Sequence, residues 1–211
     1  NRRSLLIYRW TLAGLSGLLI IYGYLSGLGN YMLANWRDLS ALMLQHLVLV
    51  ASSMSIALVI GLAVGIIFSR STFSRFKGVI MYIVGLGQTI PSLAVLALTM
   101  SFLGIGRTPA IFALVIYTVL PIARNTLTGL EEVGEDLIDA ARGMGLSPLQ
   151  ILLEVELPNA LRVILTGVRL ALVINIGTAA LGSLVGAGGL GEEIFTGITF
   201  LDTTQMLAGA L

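Results

Sequence analysis

Residues 46–68 read HLVLVASSMSIALVIGLAVGIIF, a run of apolar and small side chains without Asp, Glu, Lys or Arg. A helix needs about 20 such residues to cross the hydrocarbon core of a bilayer. Ala57, Gly61 and Gly65 recur four residues apart, which would let another helix approach one face closely. The run lacks the strict alternation that is typical of a membrane β-strand. It therefore predicts a helix that spans a membrane.

The same composition extends through the whole chain. Apolar residues make up 56% and charged residues 11% of its 211 residues, whereas about 25% charged is usual for a soluble domain. Such a chain could not cover a water-exposed surface with polar groups, and it is too apolar to be disordered. The net charge of +1 gives no electrostatic basis for binding nucleic acid, and without cysteine there are no disulfides or thiolate sites. The sequence predicts an all-α integral membrane protein.

About five or six spans are predicted on the same criterion. The complete ones cover residues 11–28, 46–68, 78–103, 109–127 and 163–185. A sixth begins near Thr204, but the chain ends at Leu211, too soon to cross. We therefore expect a truncated sixth span, and Asn1 in place of Met suggests a trimmed start. Residues 1–211 are interpreted as a single transmembrane domain.

The basic residues predict the orientation of these spans, because they concentrate on the cytoplasmic side. With the N-terminus in the cytoplasm, only Arg37 and Arg107 fall outside. Ten others fall inside: Arg2, Arg3, Arg9, Arg70, Arg75, Lys77, Arg124, Arg142, Arg162 and Arg169. A cleaved signal peptide is a weaker reading of the N-terminal run, because no small-residue cleavage site follows it. The predicted N-terminus is cytoplasmic.

Polar side chains within two spans are candidates for lining a translocation pathway. Pro91 lacks a backbone donor and predicts a kink or partial unwinding between Gln88 and Ser92. Broken backbone at this depth is tolerated where it is packed in protein or lines a cavity. Asn175 and Thr178 lie near mid-depth of the fifth span, where we expect them to face lipid or a lumen. Polar residues at this depth are usually turned inward. Hydrogen bonding between helices, or a kink without a transport role, remains an alternative.

Residues 129–161, here called the elbow, form the one long segment between spans and hold seven of the eleven acidic residues. Apolar residues at three- and four-residue spacing predict an amphipathic helix with a single apolar stripe, made of Val133, Leu137, Ala140, Ala141 and Met144. Gly145 would end this helix in the left-handed conformation. Ser147, Pro148 and Gln150 have the pattern of a capping box, so a second short helix would begin there and end at Pro158.

The apolar residues of the elbow are too few to form a core of their own. They would be covered either by the membrane surface or by another protein. A helix that lies on a membrane favours Lys and Arg on its polar face, whereas this segment carries a cluster of carboxylates. The charge favours a protein partner.

The spacing within the elbow resembles the EAA loop of ABC importer permeases. Asp139-Ala140-Ala141 is followed after three residues by Gly145 and, after nine more, by Val155-Glu156-Leu157-Pro158. The family pattern is Glu-Ala-Ala, three residues, Gly, nine residues, Ile, any residue, Leu-Pro, so every spacing agrees. The resemblance implies an ATPase-coupling role for Asp139, Ala140, Ala141, Gly145, Val155, Leu157 and Pro158.

Three further motifs are similar to those of glycine betaine, carnitine and choline importer permeases. They are residues 88–94 (QTIPSLA), 121–126 (PIARNT) and 186–191 (GAGGLG), although methionine importer permeases look similar in the last one. The resemblance implies the type I ABC importer fold, a MetI-like helical bundle in a bacterial or archaeal cell membrane. It also implies three kinds of partner: an ABC ATPase dimer, a second permease subunit and an extracytoplasmic substrate-binding protein docked near Arg37, Arg107 and Glu192.

The sequence offers no catalytic set of its own. No phosphate-binding loop is present and Lys77 is the only lysine, so ATP hydrolysis, with its Mg²⁺, would belong to the partner ATPase. His46 is the single histidine, lies at a predicted span end and has no companion ligands, so neither a metal site nor a cofactor is expected in this chain. Two alternatives stay open: a permease for methionine or another amino acid, and a channel or structural subunit that works without an ATPase.

Overall fold

The computed structural model describes residues 9–11, 27–70 and 74–211. In these ranges the chain is helical without strands, which confirms the predicted all-α class. The helices are α1 (Leu28–Ala34), α2 (Trp36–Ser69), α3 (Lys77–Thr89), α4 (Ser92–Leu103), α5 (Arg107–Glu131), α6 (Glu135–Gly143), α7 (Pro148–Val185), α8 (Gly191–Phe200) and α9 (Thr203–Ala210). A short 3-10 turn, Ser74–Phe76, precedes α3.

Four of the five complete predicted spans have counterparts among these helices. In the described residues α2, α5 and α7 are each long and apolar enough to cross a membrane, and α3 with α4 forms a fourth candidate that is bent by 96°. The first predicted span, residues 11–28, lies outside the described residues apart from its ends. The predicted sixth span corresponds to α9, which begins at Thr203, one residue before the expected position.

The central helix of the described bundle is α5, which is packed by α2, α3, α4 and α7. Small residues let α2 approach it closely. A Cβ added at Gly61 would lie 2.7 Å from the Cβ of Ile122, and one added at Gly65 would lie 2.5 Å from the Cβ of Thr126. The predicted face for close helix packing is therefore confirmed, and its partner is α5.

Pro158 does not end a helix, and the prediction that it would was wrong. α7 runs without interruption from Pro148 to Val185 and contains a π-helical segment, Ile151–Glu156, just before the proline. The N–H of Leu157 bonds to the carbonyl of Leu152, five residues back. Proline in a regular α-helix clashes with the carbonyl four residues earlier. The wider π turn relieves this crowding, so the second helix of the elbow continues directly into the fifth span.

The ends of the helices that lie away from the elbow are held together by short contacts. The N–H of Gly106, in the turn before α5, donates to the carbonyl of Val185 at the end of α7 over 2.7 Å. The hydroxyl of Tyr31 in α1 donates to Glu193 in α8 over 2.7 Å. Burial, that hydrogen bond and nearby carboxylates raise the pKa of Tyr31 to about 12. An ordinary phenol is already protonated at neutral pH, so the raised pKa lets Tyr31 remain a donor at more alkaline pH as well.

Candidate functional site

The turn of the elbow has the backbone geometry that the sequence predicted. Gly145 has a φ of 83°, in the left-handed region, and follows the last turn of α6. The N–H of Leu146 donates to the carbonyl of Ala141 at 3.1 Å, and that of Gly145 donates to Arg142 at 2.9 Å. These two bonds form a Schellman motif, which satisfies the last carbonyl groups of the helix.

The start of α7 is fixed by a capping box, as predicted. The Gln150 N–H donates to the Ser147 hydroxyl at 3.4 Å, and the Ser147 N–H donates to the Gln150 side chain at 2.9 Å. Pro148 occupies the first helical position, where its missing N–H costs nothing. The elbow therefore consists of two helices joined by a well-defined turn between residues 143 and 148.

The predicted apolar stripe of the first helix is divided between two faces, so the prediction of a single stripe was wrong. Val133 and Ala141 are buried, and Val133 and Ile138 pack in a cluster with Ala160 and Ile164. The other members point away from it, because docking α6 against α5 and α7 fixes a rotation that helical spacing alone does not. The elbow is left with large apolar side chains in the open: Leu137, Met144 (73% exposed), Leu149 (64% exposed) and Leu153.

The residues matched to the coupling motif differ in their exposure. Asp139 is exposed and its carboxylate accepts from Arg142 at 2.8 Å, while Ala140 and Gly145 are also exposed. Ala141 is buried under the turn. At the other end of the motif Val155 and Leu157 are half-buried and Pro158 is exposed. The first part of the motif is therefore largely exposed. The last part lies within α7, near its start.

Two ion pairs flank the elbow at its root. Arg70, directly after α2, forms a two-point contact with Glu156, with nitrogen–oxygen distances of 3.1 and 2.7 Å. Lys77 at the start of α3 contacts Glu131 at 2.5 Å on the exposed surface. Between these pairs and α6 lies an open cleft of about 860 Å³, which is lined in part by Glu135, Asp139 and Arg142. Charged groups therefore surround the base of the elbow.

The break between α3 and α4 lies where the sequence predicted a kink. Hydrogen bonds to α5 hold the backbone on both sides of it. Ile90 and Pro91 are extended between α3 and α4. The Gln88 side chain donates to the carbonyl of Tyr117 at 2.7 Å, a carbonyl that has lost its helical donor because Pro121 stands four residues later. The Tyr117 hydroxyl in turn donates to the carbonyl of Ile90. Gln88 and Tyr117 therefore clamp the break onto α5.

Tyr117 is a site residue that the sequence analysis missed. The signal that could have found it is Pro121, since a proline inside a span leaves the carbonyl four residues earlier in need of a donor. Ser92 and Thr178, both predicted to line the pathway, share a small cavity of about 20 Å³ with Tyr117. That volume holds about one water molecule. Gln88, Ser92 and Thr178 thus converge around one tyrosine.

Asn175 lies on the face of α7 that contacts α2. The expectation that it faces lipid or a lumen was wrong. It is fully buried, and its amide pairs with the hydroxyl of Ser53 at 2.9 and 3.0 Å. Polar side chains in lipid are drawn to each other across helices. This is the interhelical hydrogen bond that the sequence analysis left as an alternative.

His46 lies well inside α2 rather than at a helix end, because α2 begins at Trp36. Its Nε2 contacts the carbonyl of Ile176 at 3.2 Å, and its ring packs against Gly189 of the glycine-rich loop. In the ranges that the structure describes, no group of three or more His, Cys, Asp or Glu side chains is arranged to hold a metal ion. His46 therefore joins α2 to α7 and to that loop.

Comparison with known proteins gives consistent matches over most of the chain. Residues 57–211 match the family described as binding-protein-dependent transport system inner membrane component. The osmoprotectant import permease protein OsmY of Salmonella typhimurium is 46% identical over 92% of this chain and 82% of its own length. The carnitine transport permease protein OpuCB of Listeria monocytogenes is 41% identical over 79% of this chain and 76% of its own.

Solved structures give the same picture for the fold. A chain of the MetNI methionine ABC transporter, in an inward-facing conformation, is 30% identical with a TM-score of 0.68, and the match covers 79% of this chain and 83% of that one. An amino acid ABC transporter with histidines has a TM-score of 0.69 at 19% identity over 85% of this chain and 87% of that one, which bears on the fold alone. The predicted type I importer fold is confirmed.

Proposed function

The chain belongs to the family of inner membrane components of binding-protein-dependent transport systems, and from that premise we propose that it imports quaternary-ammonium osmoprotectants such as glycine betaine, carnitine or choline. It is a permease subunit of an ABC importer. The observation that carries the choice of substrate is the similarity, over nearly the whole chain, to a permease named for osmoprotectant import. Relatives named for carnitine and choline transport point to the same chemical class.

Energy would come from a pair of ABC ATPase subunits that bind ATP and Mg²⁺ at their own sites. The exposed apolar side chains of the elbow, with Met144 and Leu149 at its tip, offer those subunits a docking surface. Aliphatic side chains gain free energy when a partner removes them from water. The carboxylates around them, among them Asp139, would fix the orientation of the partner more than they add to its affinity.

Each matched residue of the elbow has a role that follows from its position. Asp139, Ala140 and Gly145 are exposed, and the two small residues would let a partner cleft close around the backbone. Ala141 is buried, so it would hold the turn in place rather than contact the partner. Val155, Leu157 and Pro158 form the continuous root of α7, so a displacement of the elbow would move the fifth span as one rod. The elbow would thereby convert closure of the ATPases into movement of helices.

The solute would pass beside the broken span. Gln88, Pro91, Ser92 and Thr178 are proposed to line this passage, because the break and the small cavity around Tyr117 bring them together. None of these side chains carries a charge. A permanent cation would therefore bind weakly here, and tight binding would be left to an extracytoplasmic receptor. A second permease subunit, identical or homologous, would complete the other wall of the passage.

The proposal is tested by uptake into proteoliposomes that contain this chain with its ATPase and receptor. We expect uptake of radiolabelled glycine betaine to require ATP inside the vesicles. Unlabelled choline or carnitine should reduce this uptake by competition. A matched control carries an ATPase variant that cannot hydrolyse ATP. Uptake that is equal with and without hydrolysis would contradict an importer and favour a channel.

A methionine importer is the second candidate, because a chain of a methionine transporter shares the fold at 30% identity. The same vesicles separate the two functions. Excess methionine should leave betaine uptake unchanged if the first proposal holds. Competition by methionine, together with ATP-dependent uptake of labelled methionine, would favour the second.

A further inference from the structure

Arg70 and Glu156 join two parts of the molecule that the chain itself does not connect directly. Both guanidinium nitrogens Nη1 and Nη2 donate to the carboxylate, at 3.1 and 2.7 Å. The side chain of Glu156 is only 8% exposed, whereas that of Arg70 is 37% exposed. A two-point contact between a guanidinium and a carboxylate is strong and fixes direction as well as distance.

Each partner of this pair is held firmly in its own element. Arg70 follows the last residue of α2, and its Nε also donates to the carbonyl of Ile66 in the final turn over 3.4 Å. Glu156 is the last residue of the π-helical segment at the root of the elbow. Single π turns inside α-helices occur often at functional sites. The pair therefore connects the end of one helix rigidly to the root of another.

The other ion pairs in the described part of the chain do not make this connection. Arg142 and Asp139 pair within α6, and both are largely exposed. Lys77 and Glu131 link α3 to the end of α5, with side chains 44% and 40% exposed. Among these pairs only the one at Glu156 reaches the end of α2, and its carboxylate is shielded from water, which limits screening by salt.

We propose that Arg70 and Glu156 are positioning residues that carry the movement of the elbow into α2 during transport. The inference rests on the proposed function of the elbow as the docking site for an ATPase. The elbow is covalently continuous with α5 and α7, so it can move those helices directly. Among the described residues, this ion pair is the charged contact between the root of the elbow and the end of α2. Separating the two partners would leave a buried carboxylate unpaired, so we expect them to move together.

The first test measures how many ATP molecules are hydrolysed for each glycine betaine imported, using the complete complex in proteoliposomes. Glu156→Gln and Arg70→Gln keep the approximate size of each side chain and remove the ion pair. We expect this ratio to rise by about twofold to thirtyfold, the range found for residues that couple distant sites. Lys77→Gln is the matched control, since it breaks the exposed pair on the same side, and its ratio should equal that of the unmodified complex.

The second test does not depend on the solute. The chain has no cysteine, so Ile67→Cys places a unique thiol on the exposed face of α2, one turn before Arg70. Its rate of labelling should change when ATP and vanadate are added, and Glu156→Gln should abolish that change. Where Glu156→Gln fails to assemble, Arg70→Lys is used in its place, because it keeps the charge and loses the two-point contact.

The outcomes separate the pair from the function on which it rests. An unchanged ratio, an equal fall in hydrolysis and uptake, or a rise that Lys77→Gln shares would overturn the role of the pair. So would nucleotide-dependent labelling at position 67 that survives in the variant. An unmodified complex that imports no betaine would overturn the proposed substrate, and the labelling test would still decide the role of the pair.

Discussion

Gly145 is the residue on which the shape of the elbow most depends. Its φ of 83° lies where side chains with a Cβ are strained, yet a Cβ added there would meet nothing within 4 Å. The requirement for glycine is therefore conformational within this chain, and the free space around it is available to a partner. Asp139 and Ala140, near the end of α6, are also exposed. Together with Gly145 they form the exposed surface of the motif.

Replacing Gly145 by valine should uncouple ATP hydrolysis from uptake. The left-handed conformation costs about 1–2 kcal/mol for a residue with a Cβ, and a branched side chain would also fill the space that a partner cleft needs. We expect uptake to fall about tenfold while the protein remains in the membrane. Gly143→Ala is the control, because Gly143 has an ordinary helical conformation and open space around it. Normal uptake by Gly145→Val at normal abundance would argue against the docking turn.

Asn175 should behave as a structural residue. Asn175→Leu removes its bond to Ser53, whose hydroxyl can still donate to the carbonyl of Leu49. Bonds of this kind within membranes contribute about 0.6 kcal/mol on average. We expect a small fall in thermal stability in detergent and unchanged betaine uptake per folded molecule. Loss of uptake without loss of stability would instead place Asn175 on the passage.

Among the helices, the bent pair α3–α4 and its hydrogen bonds to α5 distinguish this bundle from a set of straight spans. Pro121 removes the helical donor for the carbonyl of Tyr117, and Gln88 replaces that donor. Pro91 marks the break after Ile90, and the Tyr117 hydroxyl donates to the carbonyl of Ile90. Unsatisfied carbonyls are costly in lipid. The clamp therefore stabilises a break that would otherwise be unfavourable.

Tyr117→Phe should loosen the break without disturbing the packing of the ring. It removes the donor to the carbonyl of Ile90, and leaving such a group unsatisfied costs about 1–3 kcal/mol. We expect faster hydrogen exchange at the backbone amides of residues 88–96, measured by mass spectrometry in detergent. Tyr82→Phe, at an exposed position on α3, should leave the exchange unchanged. Equal exchange in both variants would contradict the clamp.

Gly65→Ala should separate α2 from α5. A Cβ there would lie 2.5 Å from the Cβ of Thr126 and 2.9 Å from the carbonyl oxygen of Ala123, and overpacking of this kind costs about 1–3 kcal/mol. The expected result is a lower unfolding temperature in detergent. Gly78→Ala serves as the control, because a Cβ at Gly78 meets nothing within 4 Å. Equal unfolding temperatures for the two variants would contradict close packing of α2 on α5 at Gly65.

Local features of these elements were predictable from the sequence, and features that depend on distant contacts were not. The glycine turn at Gly145, the capping box at Ser147 and the break before Ser92 each follow from a few neighbouring residues. The rotation of α6, which hides Ala141 and exposes Met144, is set by docking on α5 and α7. The effect of Pro158 was misjudged because a π turn can absorb a proline that an α-helix cannot.

At the scale of the whole molecule, the described helices form one bundle around α5 with two different ends. The end that carries the elbow holds the ion pairs of Arg70 and Lys77, and the opposite end holds the turn at Gly106 and the pair α8–α9. Large apolar side chains such as Val59, Phe102 and Val173 remain exposed along the spans. Lipid would cover them, together with the second permease subunit that is proposed as a partner.

The side of the membrane that the elbow occupies decides whether a cytoplasmic ATPase can reach it. Because the chain has no cysteine, Met144→Cys and Arg37→Cys each provide a unique exposed thiol, one on the elbow and one at the start of α2. In intact cells, a maleimide that cannot cross membranes should label position 37 and spare position 144. In inside-out vesicles it should label position 144, and added ATPase subunits should slow that reaction. Labelling of position 144 in intact cells would contradict a docking elbow driven from the cytoplasm.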